Sequence, residues 1–261
     1  MGKPIINYIG NKYRYGKALD KLGLIPDKID SYVEPFVGGA GFLCYLSEVR
    51  DIKKITINDK DCMLINFYTN FKKSPKKFEE VFKQTINKEV FQKYKDCLSN
   101  FKPNLECAIA YFVVKNCSYN SLISKYKNGS IRSYMSEINV KYFNIGMKTK
   151  KFKDFSEMFK NIKMSCIDYR KIVPKDSFVF LDPPYILKHI SDYYIEHSLN
   201  LEDIYNYFIK LDKNGNKILM TLNYNISIVK KFNKFNQHIY YKNATHSINS
   251  QVLKELIITN Y

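Results

Sequence analysis

The chain has 261 residues, 45% of them hydrophobic, which is enough to bury the core of one large domain or of one domain carrying an insert and excludes a disordered or fibrous protein. Lys and Arg number 42 against 25 Asp and Glu, a formal net charge of +17, so the surface attracts phosphate-rich or otherwise acidic partners. Codon bias toward A and T accounts for Lys over Arg, which occurs only at Arg14, Arg50, Arg132 and Arg170, but not for Lys over Glu.

In chain order, residues 31–36 form a short apolar strand pattern that ends at a glycine-rich turn, Val37-Gly38-Gly39-Ala40-Gly41, and residues 42–49 then have helical spacing. A second strand, 54–58, stops at Asp59. Residues 69–163 are mostly helical in pattern and rich in Lys, with a Gly-containing loop at 125–133. Two further strands, 162–168 and 177–181, are followed by a helix over 201–211 and a strand over 217–222. Strands alternating with helices predict a doubly wound, mostly parallel α/β sheet. The last two apolar runs, 237–241 and 254–261, have no helix between them and suit an antiparallel ribbon at the sheet edge.

No apolar run approaches the roughly 20 residues that span a bilayer, and residues 1–17 lack the apolar stretch of a signal peptide. Ile6 stands where an acylation signal needs Ser or Thr. A cytoplasmic, intracellular protein with no membrane partner is therefore expected. Six cysteines (Cys44, Cys62, Cys97, Cys107, Cys117, Cys166) never form a CxxC pair, and four histidines are equally scattered. Reduced thiols and no metal site are the expectation.

The most specific signal is Asp182-Pro183-Pro184-Tyr185, directly after the apolar strand Phe178-Val179-Phe180-Leu181. Open sheets bind ligands outside the carboxyl ends of their strands, where this tetrapeptide falls. Two prolines fix two φ angles and remove two N–H groups, leaving carbonyl oxygens and one carboxylate to face a planar group. Such a pocket fits an exocyclic amino group with two hydrogens to donate, and Tyr185 can stack on the ring that carries it. The plain alternative is a strand-ending proline turn.

Asp182-Pro183-Pro184-Tyr185 resembles the catalytic motif of S-adenosylmethionine-dependent DNA adenine-N6 methyltransferases, and the order of elements resembles the Dam-type family in particular. Its cofactor-binding opening is matched by Tyr8-Ile9-Gly10-Asn11-Lys12, and its glycine motif by residues 33–42, with Glu34, Phe36, Gly38, Gly39 and Gly41. Its ribose-binding acid is matched by Asp59, its adenine-contacting segment by Cys166-Ile167-Asp168-Tyr169, and its closing strand by residues 254–261. The likeness runs from residue 7 to residue 261.

The resemblance implies a Rossmann-like methyltransferase sheet of about seven strands with an antiparallel C-terminal strand. It implies S-adenosylmethionine as cofactor and double-stranded DNA as partner, the enzyme acting as monomer or weak dimer with or without a restriction system. Tyr8, Lys12, Glu34, Phe36, Gly38, Gly39, Gly41, Asp59, Asp168, Tyr169 and Asp182 would hold the cofactor. Lys12 is read as a partner for the methionine carboxylate, Asp59 for the ribose hydroxyls and Asp168 for the adenine amino group. Asp182, Pro183, Pro184 and Tyr185 would be catalytic.

Residues 69–163 carry 20 Lys and Arg against 8 Asp and Glu, a net of +12, so the charge is concentrated rather than spread as codon bias would spread it. This stretch reads as an inserted target-recognition domain, with residues 1–68 and 164–261 forming the catalytic domain. The stretch from Lys115 through Tyr119 and Asn120 resembles the Tyr-Asn loop of the Dam family, after which relatives that recognise GATC place a base-reading arginine and a β-hairpin. Here Ser124 or Lys125 stands near that arginine position and Arg132 follows later, so the expected DNA-binding residues are Lys115, Tyr119, Asn120, Lys125, Lys127 and Arg132. GATC is the leading recognition sequence. An RNA adenine-N6 methyltransferase or an inactive nucleic-acid-binding relative are the alternatives, while the Asp of Asp-Pro-Pro-Tyr argues against glutamine-N5 and cytosine-N4 transfer.

Overall fold

The computed structural model describes residues 4–144, 149–184, 199–243 and 252–261. Seven strands form one sheet: β1 (Ser31–Glu34), β2 (Lys54–Asn58), β5 (Lys163–Ser165), β6 (Phe178–Leu181), β7 (Lys217–Asn223), β8 (Asn236–Asn243) and β9 (Val252–Thr259). The order across the sheet is β5-β2-β1-β6-β7-β9-β8. Pairing is parallel from β5 through β7, and β9 runs antiparallel to both β7 and β8. The expected C-terminal ribbon is present, with β8 as the edge and β9 one position inside it.

Central strands are buried on both sides, as parallel sheets covered by helices require. All four residues of β6 are buried, and alternate ones face opposite layers. Phe178 and Phe180 join Tyr32, Leu219 and Ile257 on one face. Val179 and Leu181 join Val33, Ile218, Met220 and Ile258 on the other. The first face is covered by α1 (Tyr13–Lys21) and α2 (Gly41–Val49), and the Phe42 ring stacks on Phe180 with centroids 3.8 Å apart. The second face is covered by α9 (Leu201–Lys213), through Ile204, Phe208 and Leu211, and by Ile228 of α10 (Ile226–Lys231).

The segment between β2 and β5 contains α3 (Cys62–Lys73), α4 (Pro75–Glu80), α5 (Lys88–Ser99), α6 (Leu105–Cys117), a hairpin of β3 (Ser124–Lys125) and β4 (Ile131–Arg132), α7 (Glu137–Asn144) and α8 (Thr149–Phe159). Asp61 starts α3 by accepting from the N–H groups of Met63 and Leu64, a capping geometry that satisfies two otherwise orphaned donors. Phe67 and Phe71 of α3 then pack with Phe78, Phe112, Phe152 and Phe155, and the Phe67 and Phe112 rings are stacked 5.9 Å apart. This aromatic layer is continuous with the core under β1 and β6. The boundaries expected at 68/69 and 163/164 fall inside α3 and β5.

One expectation is corrected. Cys62 and Cys166 form a disulfide, with Cα atoms 5.3 Å apart and a sequence separation of 104. Parallel pairing of β2 with β5 brings the residue that opens α3 beside the residue that follows β5, a proximity no local spacing reveals. Cys44, Cys97, Cys107 and Cys117 are not disulfide-bonded.

Candidate active site

Four acidic residues stand at the carboxyl ends of adjacent parallel strands: Glu34 closes β1, Asp59 follows β2, Asp168 lies beyond β5 and Asp182 follows β6. Their side chains gather along the edge where doubly wound sheets bind ligands. Asn58 ties three of these ends together. Its Nδ2 donates to the carbonyls of Pro35 (3.1 Å) and Ile167 (3.0 Å), and its Oδ1 accepts from Ser165 Oγ (2.8 Å) and Ile167 N (3.1 Å).

The turn after β1 is a cradle that tolerates no side chain. Gly38 has φ +45°, and a Cβ there would lie 2.9 Å from the Tyr8 ring. A Cβ at Gly39 would lie 2.5 Å from Tyr8 Cβ, and one at Gly41 would collide with Asn11. The 8–12 segment and the glycine motif, distant in sequence, are therefore two sides of one close contact. The N–H of Gly38 donates to Asp59 Oδ2 and the N–H of Asp61 to Asp59 Oδ1, both at 2.9 Å. Burial pushes the Asp59 carboxyl up to about 6 despite these donors. Glu34 is buried, accepts from Tyr32 Oη at 2.8 Å, and is raised well above the usual carboxylate range by desolvation.

Beyond β5, Phe36 and Tyr169 approach with ring centroids 5.0 Å apart, and Ile167 beside them is exposed, giving an apolar wall. Asp168, read as a partner for the adenine amino group, lies beside Arg170. Its Oδ1 accepts from Arg170 N and Nε and its Oδ2 from a terminal Arg170 nitrogen, at 2.7 to 2.9 Å. That guanidinium holds the carboxyl down to about 2, so Asp168 is an ion-pair partner of Arg170.

Lys12, read as a partner for the methionine carboxylate, lies beside Asp182. Its Nζ lies 2.8 Å from Asp182 Oδ1, and the side chain is almost wholly buried. Thr221 Oγ1, on β7, donates to the same oxygen at 2.8 Å. Asp182 is half-buried, Pro183 is buried and Pro184 half-buried; Tyr185 lies outside the described residues. Lys115, expected on the nucleic-acid surface, is instead buried, with Nζ 4.3 Å from the centroid of the Tyr8 ring. Desolvation lowers it to about 8, opposed by Asp61 and Asp59, and its burial leaves it too deep to touch a phosphate.

The other expected nucleic-acid residues are exposed and grouped. Tyr119 is 65% exposed, and Asn120 and Ser121 take the left-handed conformation, with φ 50° and 54°. Lys125, Lys127 and Arg132 are exposed on the β3–β4 hairpin and its loop. Ser124 pairs directly with Arg132 across that hairpin. The Arg132 guanidinium lies 5.9 Å from the Tyr126 ring, and the Tyr126 and Tyr134 hydroxyls are 3.2 Å apart. A cleft of about 980 Å³ separates Tyr8, Ile9 and Arg14 from Tyr119, Asn120 and Asn139. Thr221, Asn58 and Arg170 carry no role in the sequence reading, because each acquires one only from the strand register or loop geometry that places its neighbour.

A mostly parallel sheet with one antiparallel strand near its end, a glycine cradle after β1 and an acid after β2 define the architecture of S-adenosylmethionine-dependent methyltransferases. The family described as D12 class N6 adenine-specific DNA methyltransferase matches residues 8–254. The chain belongs to this family. It is 28% identical to type II methyltransferase M.MjaIII of Methanocaldococcus jannaschii, over 88% of this chain and 87% of that one. It is 26% identical to type II methyltransferase M1.LlaDCHI of Lactococcus lactis subsp. cremoris, over 99% and 95%. Among solved structures, the S-adenosylhomocysteine complex of SMU.1697c from Streptococcus mutans aligns over 99% of each chain at 11% identity and a TM-score of 0.38.

The residues fit S-adenosylmethionine. The glycine turn lets the backbone lie directly against the 8–12 segment, Asp59 supplies a carboxylate beside it, and the Phe36–Tyr169–Ile167 wall is apolar. Among the described residues no helix is long and apolar enough to cross a membrane, and no group of three or more His, Cys, Asp or Glu could hold a metal ion.

Proposed function

We propose that this enzyme methylates the N6 of an adenine rotated out of duplex DNA, and that GATC is the sequence it reads. S-adenosylmethionine supplies the electrophilic methyl group. Asp182 and the Pro183 carbonyl accept the two N6 hydrogens, which turns the nitrogen lone pair out of the ring plane and toward that methyl; positioning of this kind is the chain's main contribution. The Asp182 carboxylate also offsets the positive charge that develops at N6 in the transition state. Rotation of the base is needed because N6 is shielded while stacked and paired. The observation that carries this reading is Asp182 at the carboxyl end of β6, half-buried and fixed by two donors, beside the glycine cradle.

In this reading Asp59 accepts from the ribose hydroxyls, Phe36 and Tyr169 enclose the adenine ring of the cofactor, and Tyr185 stacks on the target base. Residues 69–163 act as the DNA-recognition unit, Tyr119 and Asn120 meeting the duplex at the cleft. Opposed residues of an antiparallel pair project from the same face of the hairpin, so Arg132 emerges beside Ser124, which with Lys125 stands near the position where resembling enzymes carry the guanine-reading arginine. The type II methyltransferase names of the relatives support a modification role beside a restriction nuclease, with the enzyme acting as monomer or weak dimer. The test is to sequence DNA from cells expressing the protein with modified-base detection. Methylated adenine confined to GATC is expected; adenine methylation in another motif would overturn the site assignment.

A further inference from the structure

Thr221 lies on β7, one residue past Met220, and Asp182 lies one residue past Leu181; Leu181 and Met220 are partners in the parallel β6–β7 ladder. The register thus sets both side chains at the same level and on the same side of the carboxyl edge. Thr221 is wholly buried, and its hydroxyl donates to Asp182 Oδ1 at 2.8 Å. Lys12 Nζ approaches the same oxygen at 2.8 Å. Two donors on one oxygen fix the rotation of the carboxylate about its Cβ–Cγ bond.

We propose that Thr221 is a positioning residue for methyl transfer: its hydroxyl and Lys12 together lock Asp182 Oδ1, so that Oδ2 is presented in a single orientation to the exocyclic amino group. This inference rests on Asp182 being the acceptor in the reaction. Lys12 sits next to the cofactor segment, so its loss would disturb binding and orientation together. Thr221 lies on the far side of Asp182 from that segment, which lets orientation be separated from binding. Removing a hydrogen bond to a charged group slows a step that depends on it by about 10- to 100-fold.

The experiment compares Thr221→Val, which keeps shape and loses the hydroxyl, with Thr221→Ser, which keeps the hydroxyl, and with Asp182→Ala. Single-turnover methyl transfer to adenine-containing duplex DNA, KM for DNA and S-adenosylmethionine affinity by calorimetry are measured for each. The expected result is a methyl-transfer rate about 10- to 100-fold lower in Thr221→Val, with KM and cofactor affinity within about twofold of the parent and the rate largely restored in Thr221→Ser. A parental rate in Thr221→Val, or a loss that Thr221→Ser shares, or a loss confined to cofactor affinity, overturns the positioning role. Asp182→Ala separates the two levels. If it is inactive while Thr221→Val is parental, only this inference fails; if it retains the parental rate, the assignment of Asp182 itself fails.

Discussion

Asp59 illustrates how a single carboxylate is shared between folding and ligand. Its oxygens already accept from Gly38 and Asp61, and burial still raises the group to about 6. For folding, a raised carboxyl contributes stability that is present below the ordinary carboxylate range and lost as pH rises through about 6. For binding the sign reverses, since hydroxyl donors favour the ionised form. Affinity for S-adenosylmethionine is therefore expected to be flat above pH 6 and to weaken by up to about tenfold per pH unit below it, and Asp59→Asn should bind weakly with no such limb. Calorimetry from pH 5 to 8 checks this; a flat profile for the parent protein contradicts it. Asp59 and Asp182 were legible in the sequence because each directly follows an apolar strand. Arg170 and Thr221 were not, since an isolated polar residue shows nothing of the carboxylate it will meet across a turn or a ladder.

At the scale of elements, the contact between the 8–12 segment and the turn after β1 explains why glycine is needed at both Gly38 and Gly39. Gly39→Ala would drive a methyl group into Tyr8 and separate the two halves of the cradle. We expect cofactor affinity to fall at least about tenfold, measured by calorimetry, while the melting temperature changes little, because the strain is relieved by moving a surface segment rather than the core. The Cys62–Cys166 disulfide joins the start of α3 to the end of β5, closing a loop of 104 residues. Cys62→Ser should lower stability by about 2 to 4 kcal/mol in urea unfolding without reductant, and a reductant should lower the parent but not the variant. Every strand of the sheet was readable from its apolar run and turn residues. The disulfide and the way α3 runs across the expected domain boundary were not, because both depend on which strands become neighbours.

For the whole molecule, the net charge of +17 acquires a place: +12 falls between residues 69 and 163, and Lys125, Lys127 and Arg132 of that stretch are exposed around one hairpin. Binding to duplex DNA should weaken steeply with salt, and Lys125→Gln combined with Lys127→Gln should reduce the slope of log affinity against log salt by about 2, read by fluorescence anisotropy. An unchanged slope would remove the hairpin from the phosphate contacts. The sheet and its carboxyl-edge acids were legible in the sequence, since each rests on local pattern. Lys115 was expected on the nucleic-acid surface because its stretch resembles a Tyr-Asn loop, whereas the packing of α6 against Tyr8 buries it. The central chemical claim is that methyl reaches N6 of adenine in DNA through Asp182. Duplex DNA incubated with the enzyme and S-adenosylmethionine, then digested to nucleosides and resolved by mass spectrometry, should yield N6-methyladenine with the parent protein and none with Asp182→Ala. Methylated cytosine in place of methylated adenine, or equal N6-methyladenine from Asp182→Ala, would contradict it.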